Sequence, residues 1–335
     1  MEEAVQVKAC DTGALSWAHS ALQTPLWAAI KEAHGWTAHA FTIERGGQVT
    51  DLLVLVRPIF AGQRLAYIPF GPAGIAGEEL AELCQTLKAA LPRSVFALRL
   101  DLPFGSSSHS DGKDFFVCPT SIQPEATIRM DLSGGYEAVR KLYHERATRA
   151  LRKIAASALT IAEYRGEGEL FDEFYALYRH TAERDGFLSR SRSYLSTIVS
   201  DGSDRRIRLF TATLNGDLVG AIIVLFADDE ALYLIGASKR VEGISPSYAL
   251  QDVAIREACE RGCTVYDLYG VGGPEGRAPH LSSLELFKRS FGGVRVERPP
   301  TMDLPYRRGV WRLYRVSERI RFLTVRARRA LRRAP

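Results

Sequence analysis

The sequence predicts an α/β chain of the α+β kind, with two tandem domains, each a mixed, mostly antiparallel sheet flanked by helices. Three observations predict it. A block of antiparallel strands, a helix and a further strand occurs twice in the same order. The interval from Tyr67 to Asp101 equals that from Tyr233 to Asp267, 34 residues in each case, as a duplicated supersecondary unit would leave it. And 335 residues exceed what one ordinary core holds.

The first domain is expected over residues 1–125. It opens with a helix at 22–34, followed by an apolar strand at 39–44, a Gly46-Gly47 turn, a strand at 52–56 and a third ending in Leu65-Ala66-Tyr67-Ile68-Pro69. A helix then leads to Phe96-Ala97-Leu98-Arg99-Leu100-Asp101, and a polar loop at 105–112 and a proline-bounded linker at 119–124 close the domain. The second domain, 126–302, is entered by the strand Thr127-Ile128-Arg129-Met130-Asp131-Leu132. One basic helix over 135–157 carries Arg140, Lys141, Arg146, Arg149, Arg152 and Lys153, and a helix over 169–183 places Phe171, Phe174, Tyr175 and Tyr178 at core spacing. The second copy of the block follows, with strands at 207–214 and 218–226 about an Asn215-Gly216 turn, then 231–235, a helix at 247–260 and a strand at 264–269. The last segment, 303–335, reads as a helix that joins the first domain.

With 46% hydrophobic and 25% charged residues the chain is globular rather than fibrous or disordered. The longest apolar run, 218–227, is far below the roughly 20 residues a spanning helix needs, and the N-terminus has no signal-peptide pattern. A cytoplasmic location is expected. Five scattered cysteines argue against a disulfide framework, and no zinc-ligand spacing occurs, so no metal is expected. The net charge of +5 is unevenly placed: from Tyr306 onward there are eleven arginines against Glu318 alone. Val310, Leu313, Ile320, Leu323, Ala327 and Leu331 recur there at helical spacing, which gives a basic amphipathic helix. Three readings stay open for it: a docked helix with a solvated arginine face, a peripheral contact with anionic lipid at the inner membrane face, or a contact with a phosphate backbone.

Gly270-Val271-Gly272-Gly273-Pro274-Glu275-Gly276 is glycine-rich but lacks the dinucleotide spacing, and neither a phosphate loop nor a serine-hydrolase elbow is present. The order of strand, hairpin, strand, helix and strand resembles a lobe of the acetyltransferase-like (GNAT) fold. Members using acetyl-coenzyme A hold its pyrophosphate on a [RQ]-x-x-G-x-[GA] turn, and the corresponding stretch here, 236–248, lacks it.

Five motifs in succession make the resemblance specific. They are Trp27-Ala28-Ala29-Ile30-Lys31, Ala66-Tyr67-Ile68-Pro69-Phe70-Gly71-Pro72, Thr181-Ala182-Glu183-Arg184-Asp185-Gly186-Phe187, Tyr266-Asp267-Leu268-Tyr269-Gly270-Val271 and Phe287-Lys288-Arg289-Ser290-Phe291-Gly292-Gly293. In this order they resemble the Fem family of peptidoglycan aminoacyltransferases. The resemblance implies two GNAT-like domains and transfer of an amino acid from aminoacyl-tRNA to the stem-peptide amine of a peptidoglycan precursor, either lipid II or UDP-MurNAc-pentapeptide. It implies no cofactor beyond aminoacyl-tRNA as co-substrate. Residues 170–209 leave no space for the long helical hairpin of some members, so the chain resembles the armless type. The alternative is a Fem-like N-acyltransferase with an acyl-coenzyme A or carrier-protein donor.

By the same resemblance Lys288 is the expected catalytic cation, since a fixed ammonium stabilises an oxyanion that grows only in the transition state. Asp101 is expected to orient the attacking amine. Lys31 and Arg184 match positions that grip precursor phosphates, for which cationic donors suit the charge. Tyr67 and Tyr233 are candidates to line the substrate cleft, and Asp267 is a candidate to bind substrate or to hold loop backbone.

Overall fold

The computed structural model describes residues 5–18, 20–106, 114–164, 169–200, 206–276 and 279–333. Most of the polar loop read at 105–112 therefore lies outside the described residues. The elements run β1 (Gln6–Cys10), α1 (Pro25–Glu32), β2 (Thr37–Arg45), β3 (Gln48–Phe60), β4 (Gln63–Pro69), α2 (Gly77–Ala90), β5 (Val95–Asp101) and β6 (Phe116–Val117). Next come β7 (Ala126–Asp131), α3 (Gly135–Lys141), α4 (Glu145–Ala155), β8 (Leu159–Glu163), α5 (Leu170–Asp185), α6 (Arg192–Ser200), β9 (Ile207–Leu214) and β10 (Asp217–Phe226). The chain finishes with β11 (Glu230–Ser238), α7 (Pro246–Glu260), β12 (Val265–Asp267), α8 (Glu285–Arg289), β13 (Val294–Glu297), β14 (Met302–Pro305) and α9 (Arg308–Arg333).

Two compact units result. Unit 1 comprises Met1–Leu15, Gly35–Gln123 and Pro299–Pro335, and unit 2 comprises Ser16–His34 and Pro124–Arg298. Residues 16–34, read in the sequence as the opening of the first domain, cluster with unit 2.

Each unit is built on a seven-stranded sheet, ordered β1-β2-β3-β4-β5-β14-β6 in unit 1 and β8-β9-β10-β11-β12-β7-β13 in unit 2. Both sheets follow one plan. Four antiparallel strands lead to a parallel neighbour across a helix, β4 to β5 over α2 and β11 to β12 over α7, and two antiparallel strands complete the sheet. The fold is thus the two-domain, GNAT-like α/β architecture of mixed, mostly antiparallel sheets. The repeated 34-residue interval conceals a difference in register, because Asp101 pairs with Pro69 and Tyr67 with Arg99, whereas Asp267 pairs with Leu232. Only in unit 1 does the strand tyrosine bond to the terminal aspartate.

In unit 1 both faces of the sheet are covered, so β3 is a continuous apolar run rather than an alternating one: Leu52 to Val56 are fully buried. Leu80, Leu83, Cys84 and Leu87 of α2 fall on one helical face and pack with Val54, Ala66, Ile68, Leu98 and Leu100. Trp311 and Tyr314 of α9 pack with Leu65, Phe96 and Ala97 in a separate cluster. A buried charge network fixes α9: Arg99 Nε and Nη2 donate to Asp303 at 2.7 and 3.0 Å, its Nη1 donates to Glu318 at 2.8 Å, and Trp311 Nε1 donates to Asp303 at 2.9 Å. The helix continues to Arg333, but the side chains of Arg326, Arg328, Arg329, Arg332 and Arg333 lie outside those described.

The single basic helix expected over 135–157 is two helices, α3 and α4. Tyr143 is buried against Phe291 at the break, and the His144 amide donates to Ser290 O at 2.9 Å, so the chain leaves helical geometry to dock on the loop after α8. That docking explains the paired glycines. A Cβ on Gly292 would lie 2.5 Å from Leu142 O, and one on Gly293 would lie 2.7 Å from Ile128 Cγ2, so neither residue admits a side chain.

Candidate active site

The centre of unit 2 is Lys288, on the short helix α8 and only 5% exposed. Its Nζ donates to Tyr269 O at 2.6 Å and Gly270 O at 2.7 Å, and sits 5.5 Å from the centroid of the Tyr233 ring. Tyr269 has φ 55°, a left-handed conformation that a bulky side chain adopts only when its surroundings impose it. Asp267 supplies part of that constraint, since its Oδ1 accepts the Tyr269 amide at 2.7 Å and the Thr127 hydroxyl at 2.5 Å. The aspartate thus holds the backbone turn whose carbonyls hold the lysine. Burial lowers the Lys288 pKa to about 7, with the Asp267 charge opposing the shift.

Behind Asp267 lies a second layer of buried charge. Arg129 Nη2 donates to Glu230 at 2.8 Å, and its Nε lies 3.6 Å from Asp267. Glu230 also accepts the Ala21 amide at 3.1 Å, and burial beside Asp267 lifts its pKa to about 7. Arg129, Glu230 and Thr127 are not singled out by the sequence, because a lone charge in a strand reads as a solvent-facing position. The one available signal was their place in apolar strands, Thr127 and Arg129 within β7 and Glu230 at the start of β11.

Lys31 and Arg184 both belong to unit 2. Lys31 Nζ donates to Tyr194 Oη at 2.9 Å and stands 4.4 Å from the Trp27 ring centroid. Arg184 is bidentate to Asp185 at 2.7 and 2.8 Å and donates to Ser238 O at 2.7 Å. It lines a pocket of about 500 Å³ with Lys239, Arg240 and Ser245. A second pocket of about 320 Å³ is lined by Arg146, Arg149 and Lys153 of α4 and by Tyr248 of α7. Tyr248 is 5% exposed, and its buried hydroxyl has no hydrogen-bond partner among the described residues. Both pockets border the loop before α7, where positive side chains converge on the positive end of a helix dipole.

In unit 1 Asp101 is fully buried, and its carboxylate accepts from Tyr67 Oη at 2.5 Å, from the Gln123 amide at 3.1 Å and from the Thr301 hydroxyl. Gln123 Nε2 donates to Tyr67 Oη at 3.1 Å. The structure therefore joins Tyr67 to Asp101 in one unit, and Tyr233, Asp267 and Lys288 in the other. Gln123 and Thr301, distant in sequence from Asp101, carry no motif that would have revealed them.

An acetyltransferase (GNAT) domain model matches residues 140–280, the heart of unit 2. A UDP-N-acetylmuramoylpentapeptide-lysine N(6)-alanyltransferase of Weissella viridescens is 27% identical over 173 residues, 51% of this chain and 50% of that protein. The solved structure of FemX superposes with a TM-score of 0.77 at 18% identity, covering 92% of this chain and 100% of the other. The chain has the two-domain GNAT-like fold of the FemX structure. It spans about half the length of the curated relative it matches. The chain also shares its fold with a tandem GNAT protein from the clavulanic acid biosynthesis pathway, at a TM-score of 0.51 and 12% identity over 90% of this chain and 98% of that one. Residues 170–200 hold α5 and α6, of 16 and 9 residues.

Proposed function

We propose that the chain is an aminoacyltransferase that moves an amino acid from aminoacyl-tRNA to the stem-peptide amine of a peptidoglycan precursor. The observation that carries this reading is the buried Lys288 on its two carbonyls. An ammonium has three N–H donors, and two are spent on Tyr269 and Gly270. The third remains for the oxyanion.

In this reaction the acceptor nitrogen adds to the ester carbonyl, the oxyanion forms beside Lys288, the bond to the ribose oxygen breaks, and the amine proton ends on that oxygen. The donor from Lys288 is oriented before the charge develops, which is where preorganised electrostatics gain most. Tyr233, beneath the ammonium, adds attraction from its ring face. Two polyanionic substrates require two cationic sites: we assign the pocket of Arg184, Lys239 and Arg240, with Lys31, to the precursor's phosphates, and that of Arg146, Arg149 and Lys153 to the donor's phosphodiesters.

The relative that matches half of this chain bears the name of an alanyltransferase acting on the lysine of a UDP-linked pentapeptide, which supports the same class of acceptor. An acyl-coenzyme A donor is the second reading, favoured by the acetyltransferase domain match. Against it, Pro246 has no N–H to offer at the first turn of α7, and the Tyr248 amide is turned to Ser245 O, so the backbone cradle for a pyrophosphate is depleted.

Incubation with a mixture of charged tRNAs and either UDP-MurNAc-pentapeptide or lipid II, followed by mass spectrometry, tests the reading. The expected product is the precursor plus one aminoacyl residue. Transfer from acyl-coenzyme A alone would establish the second reading instead.

A further inference from the structure

The helix α9 has two apolar faces, and the fold uses one. Trp311 and Tyr314 are buried on the sheet of unit 1. On the outside, Leu313, Val316, Ile320 and Leu323 are 67%, 56%, 57% and 61% exposed. Their spacing of three, four and three residues aligns them in one stripe over nearly three turns, whereas a helix docked on a domain ordinarily turns polar residues outward. Four large side chains so exposed in a row are the mark of a surface that is covered in use.

The charge beside the stripe states what covers it. Arg312, Arg319 and Arg321 are exposed at its flanks, in a terminal segment with eleven arginines and one glutamate. A second copy of the helix would bring two such segments together, and their like charges repel. A nucleic-acid backbone would satisfy the arginines but leave the leucines, valine and isoleucine wet. An anionic bilayer surface satisfies both, with the stripe sunk to the headgroup boundary and the guanidinium groups reaching the phosphates.

We infer that α9 is an interfacial anchor, through which the chain docks on anionic membranes with the helix lying in the surface plane. The inference is independent of the transfer chemistry. Arginine at such a surface contributes on the order of 1 kcal/mol each, and the contribution is screened within a Debye length, so docking combines a salt-sensitive and a salt-resistant part.

The test is sedimentation of the full chain with vesicles of phosphatidylcholine, with and without phosphatidylglycerol, at low and high salt. Wild type is expected to pellet with the anionic vesicles and to be partly released by salt. The variant Leu313→Gln, Val316→Gln, Ile320→Gln, Leu323→Gln keeps every charge and places a good helix former at each exposed position. It should bind at least about tenfold more weakly, because four buried apolar side chains are lost. Circular dichroism on the same samples shows that the helix persists. Wild type that stays in the supernatant, or a quadruple variant that pellets as well as wild type, overturns the inference. So does a concentration-dependent dimer that the variant abolishes, which would assign the stripe to a second copy.

Discussion

A lysine 5% exposed, with its ammonium on two carbonyl oxygens, is a costly arrangement that stability alone would not favour. The cost gives a signed prediction. Burial lowers the folded pKa of Lys288 from 10.5 to about 7, so between those values the unfolded chain binds more protons than the folded one. The penalty is fully present below about pH 7 and is relieved as pH rises toward 10.5. Urea midpoints are therefore expected to climb over that window, and in Lys288→Met the climb attributable to this residue should vanish; an unchanged slope would mean that burial does not lower the pKa of this lysine. Lys31 and Arg184 belong to the same scale with a different signature. Alanine at either should raise KM for the precursor while kcat falls less, as expected for contacts made equally in ground and transition states. Arg184 was legible from its motif, and the sequence left a salt bridge with Glu183 or Asp185 open beside the phosphate role; the structure pairs it with Asp185, so a phosphate there must compete with that carboxylate. The sequence pointed to Lys288 while leaving its burial unseen, because its ammonium rests on the turn at Tyr269 and Gly270, and Asp267, which holds that turn, is itself tied to Thr127, 140 positions away.

Among the elements, strands with continuous apolar runs and turns of the Asn-Gly kind were readable, since β3, β10 and their hairpins depend on local pattern. The short strands were not. β13 and β14 are four residues each, and they join sheets through partners far along the chain, β7 and β5. The division of the basic helix at residues 142–144 was equally hidden, because docking on the loop after α8 overrides helix propensity there. Helix α9 depends on the Arg99 network, where one guanidinium bridges Asp303 and Glu318. Replacing Arg99 by methionine leaves the fully buried Asp303 carboxylate without its main cation. Breaking such a buried pair costs about 3–5 kcal/mol. A loss of that size in denaturant unfolding, lessened when Asp303→Asn is added, is expected; additive losses in the double variant would show that the two side chains do not interact.

Across the molecule, the duplication was visible in the sequence as one interval repeated, and both units indeed carry strand, helix and parallel strand over the two spans. The difference in register was not visible, since equal spacing does not fix which residues face each other across a sheet. Its consequence is a structural asymmetry. Unit 1 closes its tyrosine onto Asp101, whereas unit 2 leaves Tyr233 beneath Lys288 and gives Asp267 to the turn that holds the lysine. The decisive measurement is single-turnover aminoacyl transfer by wild type and Lys288→Met, with precursor affinity determined on the same preparations. The account predicts a loss of about 10²–10³ in the transfer rate at unchanged precursor affinity, the size associated with removing one oxyanion donor. Transfer at the wild-type rate in Lys288→Met would contradict it.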